Sequence, residues 1–289
     1  MAHNLRLHEL AATIPSMGAP KVYALLREAA RNAPSNTAIV EVGCWLGAGT
    51  AQLALGIREC QNTAIVQLHT YDRWQASKRE VEKAAKRGWR LSVGENTLPC
   101  VRQTLSEFGV PIHFHKGELK DAVWEDGPIS VYVDDASKPP LLFAKAIEIF
   151  APHWIPGQTI IFLMDFNLWK KTGLRQHEAQ KRFMERYRSA FERINPRATA
   201  AFASLEVFRY IQATDFTPWL KQTRRAEFIP SVLCGLRARL SNWSPLKTNQ
   251  KLTRPTSRMP GGLQLKRRRC RELADTLRRS RSELSKLAT

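Results

Sequence analysis

AIVEVGCWLGAGT, Ala38 to Thr50, is the stretch on which the fold turns. Apolar residues lead into Glu41, and three glycines (Gly43, Gly47 and Gly49) follow before an apolar helical pattern resumes. That order is strand, tight turn, helix. Glycine permits positive backbone angles and, lacking a side chain, lets a ligand lie against the main chain. At the carboxyl end of the first strand of an open α/β sheet, such a turn is where nucleotide-like ligands sit. A glycine-rich turn also serves as a plain strand-to-helix corner, so the surrounding chain has to decide.

Working outward, the segments alternate. Residues 1–36 read as a helical lead-in, with LLREAA its clearest piece. After the first strand and a helix from Gly47 to about Cys60, strands are expected at Ile65 to Asp72, Ile112 to Lys116, Ile129 to Val133 and Thr159 to Met164. Helices are expected at Ser77 to Arg87, Asn96 to Phe108 and Pro139 to Phe150, with a long basic helix from Arg175 to Arg193. TIIFLM, Thr159 to Met164, shows no alternation, the pattern of a strand buried on both faces of a parallel sheet. Two last strands, Ala198 to Ser204 and Glu206 to Ile211, have almost nothing between them and must pair antiparallel. The expected fold is α/β: a doubly wound, mostly parallel seven-stranded sheet with an antiparallel edge strand.

Composition narrows the setting. A chain of 289 residues with 43% hydrophobic content suits one large domain, or a domain with an appendage. No run approaches the roughly 18 apolar residues of a membrane span. MAHNLRLHEL offers no apolar export signal at the amino terminus. Five scattered cysteines, Cys44, Cys60, Cys100, Cys234 and Cys270, form no CxxC pair and suit a reducing compartment. A cytoplasmic location is the expectation. The net charge is +19, and from Asp215 onward 18 Lys or Arg face 5 Asp or Glu, so +13 of it lies in the last quarter. Pro, Ser, Asn, Lys and Arg dominate Ser241 to Gly262, which reads as linker, whereas Lys266 to Leu287 has leucines near helical spacing. The division is a lead-in (1–36), a core domain (37–213) and a basic tail (214–289). The tail suits solvent first, then an anionic membrane surface, then nucleic acid.

Chemistry gathers at strand ends. Glu41, Asp72, Asp134 and Asp165 each close a predicted strand, so in a parallel sheet they open onto one edge. An acid after the second strand, about one helix and one strand beyond the turn, is placed to bind two ribose hydroxyls. EVGCWLGAGT resembles the first motif of class I S-adenosylmethionine-dependent methyltransferases in its E/D-x-G-x-x-x-G form, closest to the macrocin-type sugar O-methyltransferases. YDRW (Tyr71 to Trp74) and KGELKDAV (Lys116 to Val123) are similar to pieces of that branch, ISVYVDDASK and IIFLMDF sit where its fourth and fifth strands end, and PHWIPGQTIIF resembles the proline-glycine turn that introduces the fifth strand across the wider superfamily.

The resemblance covers about residues 36 to 212. It implies a Rossmann-like methyltransferase domain and S-adenosylmethionine as cofactor. Glu41, Gly43, Gly47 and Thr50 would shape the methionine side, Asp72 would hold the ribose, and Gly117 with Glu118 would flank the adenine. Metal-assisted members bind magnesium through acids after the fourth and fifth strands. Here Asp134 and Asp165 match, Phe166 replaces the third acid, and Asn167 follows. Asp134 is the expected base, and the acceptor a small-molecule or sugar hydroxyl. A nucleic-acid methyltransferase gripping through the tail is the alternative, although the amino-methylating Asn/Asp-Pro-Pro-aromatic motif is absent. A nucleoside-fold binding protein without catalysis is a third reading, and Trp45 breaks the dinucleotide G-x-G-x-x-G pattern. His69, His113 and His115 read as ordinary strand residues, and Trp74 and Trp169 as candidates to line the acceptor pocket.

Overall fold

A computed structural model describes residues 2–60, 66–194 and 204–226. These belong to the first of two units, residues 1–236; the second, 237–289, lies outside the described residues. The expected linker at 241–262 and helix at 266–287 therefore fall outside them.

Seven strands form one sheet: β1 (Ala38–Val42), β2 (Gln67–Asp72), β3 (Ile112–Lys116), β4 (Ile129–Asp134), β5 (Ile160–Leu163), β6 (Phe191–Arg193) and β7 (Glu206–Tyr210). Their order is β3-β2-β1-β4-β5-β7-β6. Strands β1 to β5 pair parallel, and β7 runs antiparallel to both β5 and β6. The chain winds outward from β1 through β2 to β3, then returns to lay β4 on the other side of β1. This reversal opens a crevice at the carboxyl ends of β1 and β4. All five residues of β1 are buried, as its central position requires.

Helices cover both faces. On one lie α1 (Ala2–Thr13), α2 (Pro20–Arg31), α3 (Ala48–Glu59) and α5 (Leu98–Ser106), packed on Ile39, Leu68, Val131, Val133 and Phe162. Helix α2 begins at a proline, whose missing N–H costs nothing there, and buries Val22, Leu26 and Ala30 at helical spacing. It meets α3 closely because position 56 is Gly: a methyl there would run into the Arg27 carbonyl oxygen and Ala30. Helix α4 (Lys78–Ala85) starts with a capping box between Ser77 and Glu80.

Helix α7 (Leu168–Thr172) follows β5, and the opposite face holds α6 (Pro140–Phe150), α8 (Ala179–Arg186) and a closing helix over 217–226. Between them an aromatic layer includes Trp154, Phe183, Phe191, Phe216 and Trp219. This layer breaks the long basic helix expected from Arg175 to Arg193. A 3-10 turn (Arg175–Glu178), α8, a second turn (Arg188–Ala190) and β6 replace it. Phe191 is drawn into the core against Trp154, Tyr210 and Phe216, and β6 satisfies its backbone by pairing with β7. The strand expected over 198–204 lies outside the described residues except for Ser204.

Candidate active site

The strand ends stay in step beyond the strands themselves. Gly43 N donates to the Tyr71 carbonyl (2.8 Å), Asp135 N to Val42 (2.8 Å), Met164 N to Asp134 (3.0 Å) and Gly117 N to Asp72 (3.0 Å). The loops after β1, β2, β3, β4 and β5 therefore share one rim. Gly43 and Gly47 both take positive φ, +96° and +92°. A side chain on Gly43 would also press on the Asp135 backbone at 3.0 Å. Glycine is needed here on both counts.

Alternation along the strands sorts the acids. Glu41 shares a side of the sheet with Ile39, toward α2 and α3, and Asp135 shares it with Val131 and Val133. Asp134 falls on the other side, with Tyr132.

Glu41 is 3% exposed, and its Oε2 accepts hydrogen bonds from the Thr50 hydroxyl and, at 3.3 Å, from Thr70. Gly49 makes room for the carboxylate, since a methyl there would collide with Oε1. Burial pushes the carboxyl up to about 8; the Thr50 and Thr70 hydroxyls pull against this, and Asp135 and Asp72 push with it. Neither hydroxyl partner carries charge. Burial with uncharged partners favours the protonated form of this group.

Beside Glu41 lies a small cavity of about 30 Å³, bounded by Gly43, Trp45 and Asp135 and roofed by Met17 and Tyr23. The Trp45 indole N–H is buried and has no hydrogen-bond partner among the described residues. Tyr23 holds the roof by accepting from Gly18 N at 3.0 Å.

Asp72 clamps the turn. Its Oδ2 accepts from Trp45 N at 2.8 Å and its Oδ1 from Trp74 N at 2.7 Å. Burial raises its carboxyl above the ordinary range while these two amides pull it down. Each oxygen keeps a further lone pair and can accept one more hydrogen bond. Gly117 and Glu118 stand exposed on the same rim, beyond β3. Thr50 is fully buried and spent on Glu41 and Cys44.

The acids after β4 and β5 do not assemble as a metal site. Asp134 is 0% exposed, and its oxygens accept from the Tyr132 hydroxyl (3.3 Å), Ala136 N (3.3 Å), Ser137 N (2.9 Å) and the Ser137 hydroxyl. It is a loop-fastening group. Asp165 pairs with Lys138 at 2.5 Å, and Asn167 turns toward β7 and donates to Glu206 at 3.0 Å. Among the described residues no three His, Cys, Asp or Glu stand together as ligands. The donor set therefore does not fit the magnesium expected through Asp134, Asp165 and Asn167.

Asp135, which sequence reasoning passed over for its neighbour, is the acid that borders the cavity. It is an exposed residue by surface area. The protein packed about its carboxyl raises it; Lys138 opposes the rise, while Asp165 and Asp134 add to it. Strand alternation in VDDAS was the signal that could have found it. Trp74 is 1% exposed in the core beside Phe114, and Trp45 packs against the same core, so Trp74 does not line a pocket. Lys181 covers the ring of Trp169 at 4.3 Å.

With a reversed β7 next to five parallel strands and the crevice between β1 and β4, the sheet decides the class. The fold is a doubly wound, Rossmann-like α/β fold. No protein-family model matches the chain, and no curated protein matches it. Similar solved structures include the methyltransferase PaMTH1 of Podospora anserina bound to SAH, 14% identical, covering 73% of this chain and 89% of that one, TM-score 0.46. CalS11, a TDP-rhamnose 3'-O-methyltransferase of calicheamicin biosynthesis, is 12% identical over 72% of this chain and 93% of its own, TM-score 0.42. The 23S rRNA methyltransferase ErmE is 12% identical over 71% and 76%, TM-score 0.36. These likenesses are of backbone course alone, and activity has to be argued from the site.

Proposed function

We propose that this chain is an S-adenosylmethionine-dependent methyltransferase that methylates a hydroxyl of a small molecule or sugar, with Asp135 as the base. The observation that carries the reading is Glu41: a buried acid with uncharged partners, beside a left-handed glycine turn. A ligand bearing a cation answers this need, and the methionine end of the cofactor bears one. The amino-terminal turn of α3, with its free amides, adds attraction for the carboxylate. A space of about 30 Å³ holds roughly one water. Ligand sites run to roughly 300 Å³ or more, so Met17 and Tyr23 swing aside for entry.

When bound, the cofactor supplies an electrophilic methyl group on a sulfonium. The chain's own part is alignment and proton removal. Asp135 accepts the proton of the acceptor hydroxyl as that oxygen takes the methyl. Its raised proton affinity brings it closer to neutral pH, where a general base works best. Lys138, which donates to the Asp135 carbonyl at 3.0 Å and pairs with Asp165, fixes the loop and keeps a positive charge near the carboxylate. Positioned bases contribute about 10²–10⁴-fold. Asp135→Asn should therefore lower kcat by at least about 100-fold while leaving cofactor affinity within about threefold. The wild-type pH–rate profile should show an acid limb above the ordinary carboxylate range. Calorimetric titration with S-adenosylmethionine and with NAD tests the premise: binding of the first and not the second is expected, and no binding of the methyl donor would sink the reading.

A further inference from the structure

The residues of α4 on the rim of this crevice carry a charge that cofactor binding leaves unused. From Arg73 to Arg90 the chain has seven Lys or Arg against two Asp or Glu. Glu80 is committed to the Ser77 backbone at 2.7 Å, as the capping box requires. Arg79 and Lys83 lie four residues apart and so share one face of the helix. Lys83 Nζ reaches the Met17 sulfur at 2.8 Å, and Met17 roofs the same cavity that Glu41 and Asp135 border. A thioether is a weak acceptor for an ammonium, so this cation holds a place rather than a partner.

We propose that Lys83 and Arg79 form the binding site for a phosphate group on the methyl acceptor, which makes the acceptor a phosphorylated small molecule. The inference rests on the methyltransferase reading. It adds the substrate class. Partial burial pushes the Lys83 ammonium down, Arg79 and Lys138 add to this, and Asp135 and Asp165 oppose it. An arriving phosphate would offset the like charge that Arg79 and Lys138 impose on Lys83. Lysine serves as a point charge and arginine as a bidentate fork, a pairing suited to a phosphate ester. Met17 links the two events. A ligand that draws Lys83 away from the Met17 sulfur loosens the roof over the cofactor cavity, so acceptor and cofactor sites share a movable wall.

Equilibrium titration of the full chain with inorganic pyrophosphate, in the presence of S-adenosylhomocysteine, tests this. Saturable binding is expected, weakened at least tenfold by Lys83→Gln and by Arg79→Gln. The exposed Arg87→Gln on the same segment should bind as the wild type does. S-adenosylhomocysteine affinity should stay within about threefold in Arg79→Gln and Arg87→Gln, neither of which touches Met17. Absence of saturable binding, or binding indifferent to Lys83→Gln, would overturn the proposal. So would tighter binding of a short RNA that is unaffected by the same substitution. Loss of cofactor binding alongside intact, Lys83-dependent pyrophosphate binding would remove the methyltransferase reading and leave the anion site standing.

Discussion

At the scale of single residues, Glu41 has the sharpest consequence. Its carboxyl titrates at about 8 when folded against an ordinary value of 4.5. Between those values the folded chain holds a proton that the unfolded chain has released. Stability from this group is thus present below 4.5 and is lost as pH rises through 8. Glu41→Gln keeps the hydrogen-bonding shape and removes the ionisation. Its thermal midpoint should match the wild type near pH 4.5 and exceed it at pH 8.5. A variant less stable than the wild type at pH 8.5 would contradict the assignment. Glu41 itself was legible in the sequence, because an acid two residues before a glycine turn has few other places to point. Asp134 against Asp135 was not settled by motif. Both follow the same strand, and only the two-residue alternation, read against which face α3 covers, assigns one to the loop and the other to the cavity.

Among the elements, the close pair α2–α3 and the edge pair β2–β3 make separate predictions. Gly56 is where the two helices touch, and Gly56→Ala places a methyl against the Arg27 carbonyl. Overpacking of this kind costs about 1–3 kcal/mol, readable by urea denaturation. A cost under about 0.5 kcal/mol would mean the helices sit farther apart. On β2 and β3, His69 stacks on His113 at 4.4 Å and lies 3.0 Å from His115 Nε2, while His115 stacks on Tyr71 at 4.2 Å. Burial first, then the neighbouring histidines, lower His69 to about 4, with Asp126 opposing. The unfolded chain therefore takes up a proton near 6.5 that the folded chain refuses, and stability falls as pH drops from 6.5 to 4. His69→Gln should flatten that part of the stability–pH curve; an unchanged slope would clear His69 of the effect. The alternation of His113 and His115 showed that they share a face. The partner on β2 needed the register that pairs His69 with His113. Residues 175–193 were misjudged for a related reason. Their many charges read as a solvated helix, and nothing local announced that Phe191 would join an aromatic layer built from Trp154, Tyr210 and Phe216.

For the whole molecule, the order of acids and glycines along the chain sufficed for the parallel half of the sheet, since parallel strands with intervening helices leave a periodic record. Of the return, β7 was read from Glu206 to Ile211 and stands at Glu206–Tyr210, whereas β6, three residues long and inside a charged stretch, left little record. Metal ligation was beyond sequence, because it depends on which way Asp165 and Asn167 turn after β5, and Lys138 and Glu206 claim them. Across these scales one claim holds the account together: a cation arriving at the glycine turn ionises Glu41. Calorimetry of S-adenosylmethionine binding at pH 7, repeated in buffers of differing ionisation enthalpy, counts the protons exchanged. Release of about one proton per cofactor is expected of the wild type, and at least a tenfold loss of affinity, with that proton missing, of Glu41→Gln. An enthalpy independent of buffer, or the same proton count in Glu41→Gln, would contradict it.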